Sequence, residues 1–257
     1  MSKNKLEDII TGLSSLGVEE GDLLMVHSSL KSFGYVKGGA ETVIQALLEV
    51  VGEGGTIVMP THTECSPDNY DPKTTPCRTG IIPETFRKMR GVRRNLFSGC
   101  PACALGPLSS KIITEEKNIS DWPYDSPYYK VCSLGGKILL LGVGQGVNTA
   151  IHEAIRAAFR EGVKLPCYRS LEMFGPPEDK IFLPLPKEYL DKRDEKGYLP
   201  DCPDGFNRFD RIFLEKGIMK IQKIGASTSR LIDGKGMLKL IKDILEKEPF
   251  FMIKKRN

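Results

Sequence analysis

The sequence predicts an α/β protein in which a central, largely parallel or mixed sheet is flanked by helices and carries long inserted loops. Short apolar runs of strand length alternate with segments whose apolar residues repeat at helical spacing. Glycine-rich segments separate the two patterns, as expected between strands and crossover helices. The length of 257 residues suits one large domain over 1–257. Within it, the proline-rich and charged residues 175–205 are expected to form a loop or hairpin excursion.

The first quarter of the chain predicts two strands joined by a helix. A helix over Lys5 to Leu16 ends at Gly17, and the strand Leu23–Val26 follows. Apolar residues at helical spacing from Ala40 to Val51 predict the crossover helix, and Thr56–Met59 predicts the second strand. This order indicates parallel pairing, so ligands are expected at the carboxyl ends of these strands.

The remaining elements follow the same alternation. The segment Pro60–Gly80 is long, polar and interrupted by prolines, which is typical of an ordered functional loop. After it, the sequence predicts a helix restarting at Ile82, a strand over Lys137–Val143, a helix opening at Asn148 and a final amphipathic helix over Met237–Lys247. The Asn148 helix carries Ile151, His152, Ile155 and Phe159.

Composition and charge exclude several classes of protein. Hydrophobic residues make up 40% and charged residues 27%, so the chain should fold, and no apolar run is long enough to cross a bilayer. The net charge of +4 is spread along the chain, which predicts no nucleic acid and no membrane partner. The start of the chain lacks a signal-peptide pattern, and we expect a cytoplasmic protein. A basic cluster of Arg87, Lys88, Arg90, Arg93 and Arg94 favours a solvated edge over a phosphate site.

The three histidines of the chain are the first candidates for chemistry. His27 and His62 follow predicted strands, and His152 lies at the start of the helix that follows another. The carboxyl ends of parallel strands meet at one edge of a sheet, where an imidazole can accept a proton near neutral pH. His152 is the best candidate for a general base.

Two other chemical roles remain open, a metal site near His62 and a cysteine nucleophile. His62, Glu64 and Cys65 lie close in sequence, but no second pair of metal-ligand spacing accompanies them, so no metal is expected. Cys100 could act as a nucleophile, although a buried thiol is the commoner role of a cysteine. Seven cysteines in a chain without a secretion signal indicate reduced thiols.

The loop that begins at His27 suits a phosphate ligand. Two hydroxyls, backbone amides and the start of a helix near Gly39 supply neutral donors, and Lys31 adds positive charge. The other glycine-rich segment, Gly142–Gly146, lacks the spacing and the following acid of a dinucleotide fingerprint. It predicts a tight turn.

Several motifs in order resemble the aminoglycoside 3-N-acetyltransferase family across nearly the whole chain. They are Leu23–Ala40, Gly55–Thr63, Tyr70–Pro76, Gly80–Arg87, Leu139–Gly144, Asn148–His152 and Asp201–Phe206. The resemblance implies acetyl transfer from acetyl-CoA, the co-substrate, to a small-molecule amine acceptor, on an α/β fold distinct from the GNAT fold. It implies no metal and no covalent enzyme intermediate, and it allows a homodimer.

The resemblance also assigns roles to individual residues. It implies that His152 is the catalytic base, with Thr61 and backbone amides as donors to the oxyanion. It implies a cradle for the pyrophosphate and pantetheine of CoA, formed by His27, Ser28, Ser29, Leu30, Lys31, Gly34, Tyr35, Val36 and Gly39. Acceptor contacts are expected from His62, Glu64, Asp68 and Asp71.

The chain departs from the family pattern at two places. Many members carry a glutamate one helical turn after the histidine, where it can orient the imidazole; Ile155 stands there in this sequence. The segment Phe97–Gly106 lacks the two histidines that members carry and holds Cys100 and Cys103 instead.

The expected function is therefore acetyl-CoA-dependent N-acetylation of an amino sugar or aminoglycoside-like amine by direct attack. Two alternatives are a catalytically altered CoA-binding protein and an acyltransferase that uses Cys100 as nucleophile. A metal-assisted hydrolase using His62, Cys65 and His152 is a further, weaker alternative.

Overall fold

A computed structural model of the chain describes residues 4–117, 123–189, 191–200 and 204–256. The chain divides into two compact units. The first unit comprises Met1–Val143 and Met219–Lys235, and the second comprises Gly144–Ile218 and Gly236–Asn257. No helix in the described part of the chain is long and apolar enough to cross a membrane.

The first unit contains a seven-stranded mixed sheet. Its strands are β1 Leu23–Ser28, β2 Thr56–Pro60, β3 Arg93–Arg94, β4 Ala102–Leu105, β5 Lys137–Leu141, β6 Met219–Ile224 and β7 Ser227–Asp233. They lie in the order β3-β4-β2-β1-β5-β7-β6. The three central strands are parallel, because β1 pairs with β2 on one side and with β5 on the other. The outer strands pair antiparallel. This mixed sheet with its helices confirms the predicted fold class.

Within the described residues, five helices belong to the first unit. They are α1 Leu6–Leu16, α2 Gly39–Val51, α3 Ile81–Phe86, α4 Ser109–Ile112 and α5 Pro127–Ser133. The apolar stripes of α1 and α2 pack on the sheet, and together they bury a continuous core that includes Ile9, Leu13, Val43, Leu47, Val26 and Leu139. Gly17 ends α1 in the left-handed conformation with φ 108°, as predicted.

Within the residues that the structure describes, the regular elements of the second unit are α-helices, joined by 3-10 turns and irregular segments. It contains α6 Thr149–Arg160, α7 Asp204–Asn207, α8 Phe209–Glu215 and most of α9 Gly234–Lys247, which starts three residues earlier than the pattern predicted. Its interior is aromatic, with Tyr168, Phe206, Phe209 and Phe213 fully buried.

The segment expected to be an excursion forms turns and single β-bridges over 175–189 and 191–200. Whether the chain is one domain stays a prediction. Residues 201–203, which open the last family motif and include Cys202, lie outside the described residues.

Candidate active site

The carboxyl end of β1 presents two buried polar atoms. His27 lies within β1, opposite Leu140 of β5, and is 5% exposed. Its Nε2 and the Ser28 Oγ are both buried without a hydrogen-bond partner among the described residues. Burial, reinforced by the nearby His62, lowers the pKa of His27 to about 3, so its imidazole is neutral at physiological pH. Buried polar atoms of this kind normally have a partner, which a ligand or water can supply.

The loop after β1 is tightly fastened to the rest of the first unit. The Ser29 amide donates to the Leu141 carbonyl at 3.0 Å, and the Ser32 hydroxyl donates to the Ser29 carbonyl at 2.7 Å. Asn4, which is 5% exposed, donates from Nδ2 to the Phe33 carbonyl at 2.8 Å and to the Tyr35 carbonyl at 3.1 Å. The predicted cradle is therefore preorganised.

The two glycines predicted for this cradle have open space on the side where a side chain would lie. Gly34 and Gly39 have φ angles of 75° and 63°, and a Cβ added at either would meet no heavy atom within 4 Å. Among the other predicted residues, Leu30 is half-buried and Val36 is buried, whereas Lys31 and Tyr35 are exposed. The loop thus leaves open space at these glycines beside one cation and one aromatic ring, while the Gly34 and Gly39 amides themselves donate to the Lys31 and Val36 carbonyls at 3.3 and 3.1 Å.

Arg94 holds the start of the loop that follows β2. Its Nε donates to the Thr61 Oγ1 at 2.9 Å, and Nη2 donates to the Thr61 carbonyl at 2.6 Å. Nη1 donates to the Thr75 carbonyl at 2.5 Å, and the guanidinium lies 5.1 Å from the centre of the Tyr70 ring. Thr61 itself is fully buried. Sequence reasoning missed this role, because only the contacts show that Arg94 fastens a loop.

The expectation of a solvated basic edge is thus wrong for part of the cluster. Arg87 is 4% exposed at its side chain and pairs with Glu84 at 2.6 Å. Lys88 also pairs with Glu84, and Arg93 pairs with Glu115. Arg87 and Arg94 thus fasten local structure, whereas the side chains of Lys88 and Arg93 are 61% and 48% exposed, as expected of a solvated edge.

His62 lies two residues beyond β2 and faces an aromatic ring. Its imidazole is parallel to the Tyr128 ring, with centroids 6.0 Å apart, and its Nε2 is 3.3 Å from the Tyr128 hydroxyl. Because that hydroxyl donates to the Pro101 carbonyl at 3.1 Å, it is set to accept from His62. The contacts with Tyr128 hold the His62 ring in a fixed orientation. His62 is half-buried, so the ring lies near the surface.

The acids predicted to contact an acceptor lie on the same exposed loop. Glu64 pairs with Arg78 at 3.1 Å, and both side chains are largely exposed. Asp71 accepts from the Lys73 amide at 2.7 Å, which helps to lower the pKa of its carboxyl. Asp68 lies in a short 3-10 turn, Pro67–Asn69.

The two cysteines of the Cys100–Cys103 segment differ in environment. Cys103 lies in β4 and is fully buried, and burial raises the pKa of its thiol above the usual range. Cys100 precedes β4 and is half-buried. The six described cysteines are thiols, and no group of three possible metal ligands occurs within the described ranges.

In the second unit, α6 presents His152 in its first turn. The ring is half-buried, and its Nδ1 is 2.6 Å from the Ser170 Oγ. The Phe206 ring packs edge-on against it with a centroid distance of 4.7 Å. Asn148 occupies the N-cap position, but its amide donates to the Gln145 Oε1 at 2.9 Å rather than capping the helix.

A buried ion pair lies beside this histidine. Glu153 is fully buried, and its Oε1 accepts from the Arg156 Nη1 at 2.7 Å. Arg156 also donates from Nε to the Ser170 carbonyl at 2.7 Å. Ile155, at the position of the family glutamate, is fully buried. Sequence reasoning foresaw Arg156 on the face of His152 but had no signal for Ser170.

Comparisons with known proteins agree over nearly the full chain. The chain is 30% identical over 252 residues to aminoglycoside N(3)-acetyltransferase IV of Salmonella sp, covering 96% of this chain and 89% of that enzyme. It is 26% identical over 248 residues to aminoglycoside N(3)-acetyltransferase VII of Streptomyces paromomycinus, covering 88% of this chain and 86% of that enzyme. The apoenzyme of aminoglycoside acetyltransferase AAC(3)-IVa has a similar structure, with a TM-score of 0.78, 27% identity, and coverage of 98% of this chain and 92% of that chain.

The fold and these relatives define the chain as an N-acetyltransferase. A family model described as aminoglycoside 3-N-acetyltransferase matches residues 25–246. The chain belongs to the aminoglycoside 3-N-acetyltransferase family, which confirms the resemblance seen in its motifs.

Proposed function

We propose that this protein transfers the acetyl group of acetyl-CoA directly to an amine of an amino sugar or aminoglycoside-like acceptor in a ternary complex, with His152 as general base. The observation that carries the proposal is the His152 ring in the first turn of α6, held through Nδ1 by Ser170 at 2.6 Å. When one ring nitrogen is engaged in this way, the other is oriented to accept a proton.

The residues of the β1 loop fit CoA. His27 Nε2 and Ser28 Oγ are buried polar atoms that lack a protein partner in the described ranges, and the backbone at Gly34 and Gly39 is open. In this proposal Ser29, Leu30, Lys31, Tyr35 and Val36 complete the cradle for the pyrophosphate and pantetheine. One solved structure with the same fold, at 24% identity, is described as AAC-IIIb binary with CoASH. Acetyl-CoA, when bound, supplies a thioester carbonyl.

His152 carries the proton through the reaction. It accepts a proton from the acceptor's ammonium group, and the nitrogen lone pair then forms the N–C bond to the acetyl carbon. The C–S bond breaks as His152 returns that proton to the departing thiolate, and the second proton that the nitrogen loses on becoming an amide passes to solvent. Thr61 and backbone amides are proposed to donate to the carbonyl oxygen while it carries negative charge.

The acceptor is proposed to contact His62, Glu64, Asp68 and Asp71. Three carboxylates on one exposed loop attract a polycationic amine. Two solved relatives of this fold are described as a histidine-to-alanine mutant of AAC(3)-IVa in complex with a gentamicin, at 27% identity, and with apramycin, at 26% identity. These complexes support an aminoglycoside-like acceptor.

The test is acetyl-CoA turnover with gentamicin, apramycin and simple amino sugars, followed by mass spectrometry of the product. We expect His152→Ala to lower kcat by about 10²–10⁴-fold, because general-base catalysis contributes that much. Calorimetry should show that the variant still binds CoA. A loss of less than about tenfold contradicts the base assignment.

Cys100→Ala is the matched variant for the competing route. We expect it to retain turnover, because direct transfer passes through no acyl-enzyme. Abolished turnover, together with an acetylated protein trapped by mass spectrometry, would instead support Cys100 as nucleophile.

A further inference from the structure

Ser170 is a polar group that the structure places against His152. Ser170 is 2% exposed, and its Oγ lies 2.6 Å from the His152 Nδ1. Ile155 is fully buried and offers no polar atom to the ring. If Nδ1–H donates to this hydroxyl, the tautomer is fixed with Nε2 as the proton acceptor.

Ser170 is in turn held by Arg156. The guanidinium donates from Nε to the Ser170 carbonyl at 2.7 Å, and its side chain is only 18% exposed. Ser170 and His152 are 18 positions apart in sequence, on α6 and on the 3-10 segment Arg169–Phe174. The Arg156 contact therefore fixes the segment that carries the hydroxyl relative to the helix that carries the ring.

Glu153 completes the set as the partner of the guanidinium. Its carboxylate is fully buried, and Oε1 accepts from Arg156 Nη1 at 2.7 Å. A buried carboxylate is costly unless it is paired. Burial raises the pKa of Glu153 to about 7 although Arg156 opposes the shift, so the carboxyl is only partly ionised near neutral pH. In its ionised form it offsets the charge of Arg156, which would otherwise disfavour an imidazolium four positions back on the same helix.

We propose that Ser170, Arg156 and Glu153 are positioning residues for acetyl transfer: Ser170 orients the His152 ring, and the buried Arg156–Glu153 pair fixes Ser170. This inference rests on the proposed role of His152 as base.

The first test compares Ser170→Ala and Ser170→Thr, since threonine keeps the hydroxyl. We expect Ser170→Ala to lower kcat by about 10–100-fold, the usual effect of losing an outer-shell partner, with KM for both substrates within about twofold. Ser170→Thr should recover most of kcat. Thermal unfolding and CoA binding of each variant show that folded enzyme is being compared.

The second test addresses the ion pair. Glu153→Gln should lower kcat in the same direction as Ser170→Ala. Glu161→Gln is its matched control, because Glu161 ends the same helix and pairs with Lys242 at 2.6 Å away from the ring contacts. The control should keep kcat within about twofold, since exposed pairs contribute little.

A third readout does not depend on activity. Nitrogen-15 NMR of histidine-labelled protein, with the His152 signals assigned through His152→Gln, should report a proton on Nδ1 in the wild type and a mixture of tautomers in Ser170→Ala. An unchanged kcat or an unchanged His152 spectrum in Ser170→Ala overturns the positioning role, even where His152→Ala abolishes transfer. If His152→Ala retains transfer, the base assignment itself fails, whereas the NMR result still reports on Ser170.

Discussion

Gly142 provides a sharp test of how tightly the β1 loop is built. Gly142 has φ +76°, and an added Cβ would overlap the Ser32 Oγ and approach the Ser32 Cβ to 2.7 Å and the Ser227 Oγ to 2.8 Å. The hydroxyl can rotate away, at the expense of its bond to the Ser29 carbonyl. The Ser32 Cβ cannot rotate, so the turn must move by roughly 0.7 Å to reach ordinary contact.

The expected loss of stability in Gly142→Ala follows from three contributions. The left-handed backbone costs an alanine about 1–2 kcal/mol, the lost hydrogen bond about 1 kcal/mol, and the overpacking about 1–3 kcal/mol. Gly135→Ala is the matched control, because Gly135 has φ +84° with no heavy atom within 4 Å of an added Cβ. Gly135→Ala should be destabilised only by the left-handed backbone, by about 1–2 kcal/mol.

The assay is thermal unfolding of both variants followed by CoA titration. We expect Gly142→Ala to unfold roughly 4–16 °C below Gly135→Ala, as a difference of about 2–4 kcal/mol implies for a chain of this size. Its affinity for CoA should fall by about tenfold or more, because a small misplacement of a binding group is costly. Equal melting temperatures and equal CoA affinities in the two variants would refute the reasoning.

Two further predictions concern the first unit. Glu84→Gln should lower the free energy of unfolding by about 3 kcal/mol, because it breaks a pair with the buried Arg87. Glu115→Gln breaks an exposed pair and should lower it by less than about 1 kcal/mol. Urea unfolding compares the two variants, and equal losses of stability would contradict the effect of burial. Burial and the nearby His62 lower the pKa of His27 to about 3 in the folded protein. Between pH 6.5 and 3, the His27 imidazole is therefore protonated in the unfolded chain but not in the folded one. The free energy of unfolding falls as pH falls through this range, by up to about 1.4 kcal/mol per pH unit. His27→Gln should remove that slope from unfolding free energies measured between about pH 6 and 4, and parallel pH profiles of the two proteins would contradict it.

The predictable elements are those with a strong local pattern. The helices α1, α2 and α6 and the strands β1, β2 and β5 lie within a few residues of their predicted bounds. The spacing of apolar residues along a short segment identifies both the type of element and its buried face. Such an element can therefore be predicted from residues that are close in sequence.

Two of the strands that were not predicted, β3 and β7, lack that pattern. β3 is only Arg93–Arg94, two charged residues. In β7 the buried, alternating positions include Ser227 and Ser229, whose hydroxyls lie 2.9 Å from each other. Because these inward residues are polar and satisfied by each other, the two-residue hydrophobic alternation that marks a strand is absent.

The sequence by itself determined the α/β class, the family and the identity of the candidate base, since these depend on local periodicity and on short motifs in order. Only the tertiary structure decided that His27 is buried and neutral, that Arg94 fastens a loop and that Ser170 meets His152. Arg94 and Thr61 are 33 positions apart and His152 and Ser170 are 18 apart, while His27 lies opposite Leu140 of another strand. The packing of separate elements brings such residues together.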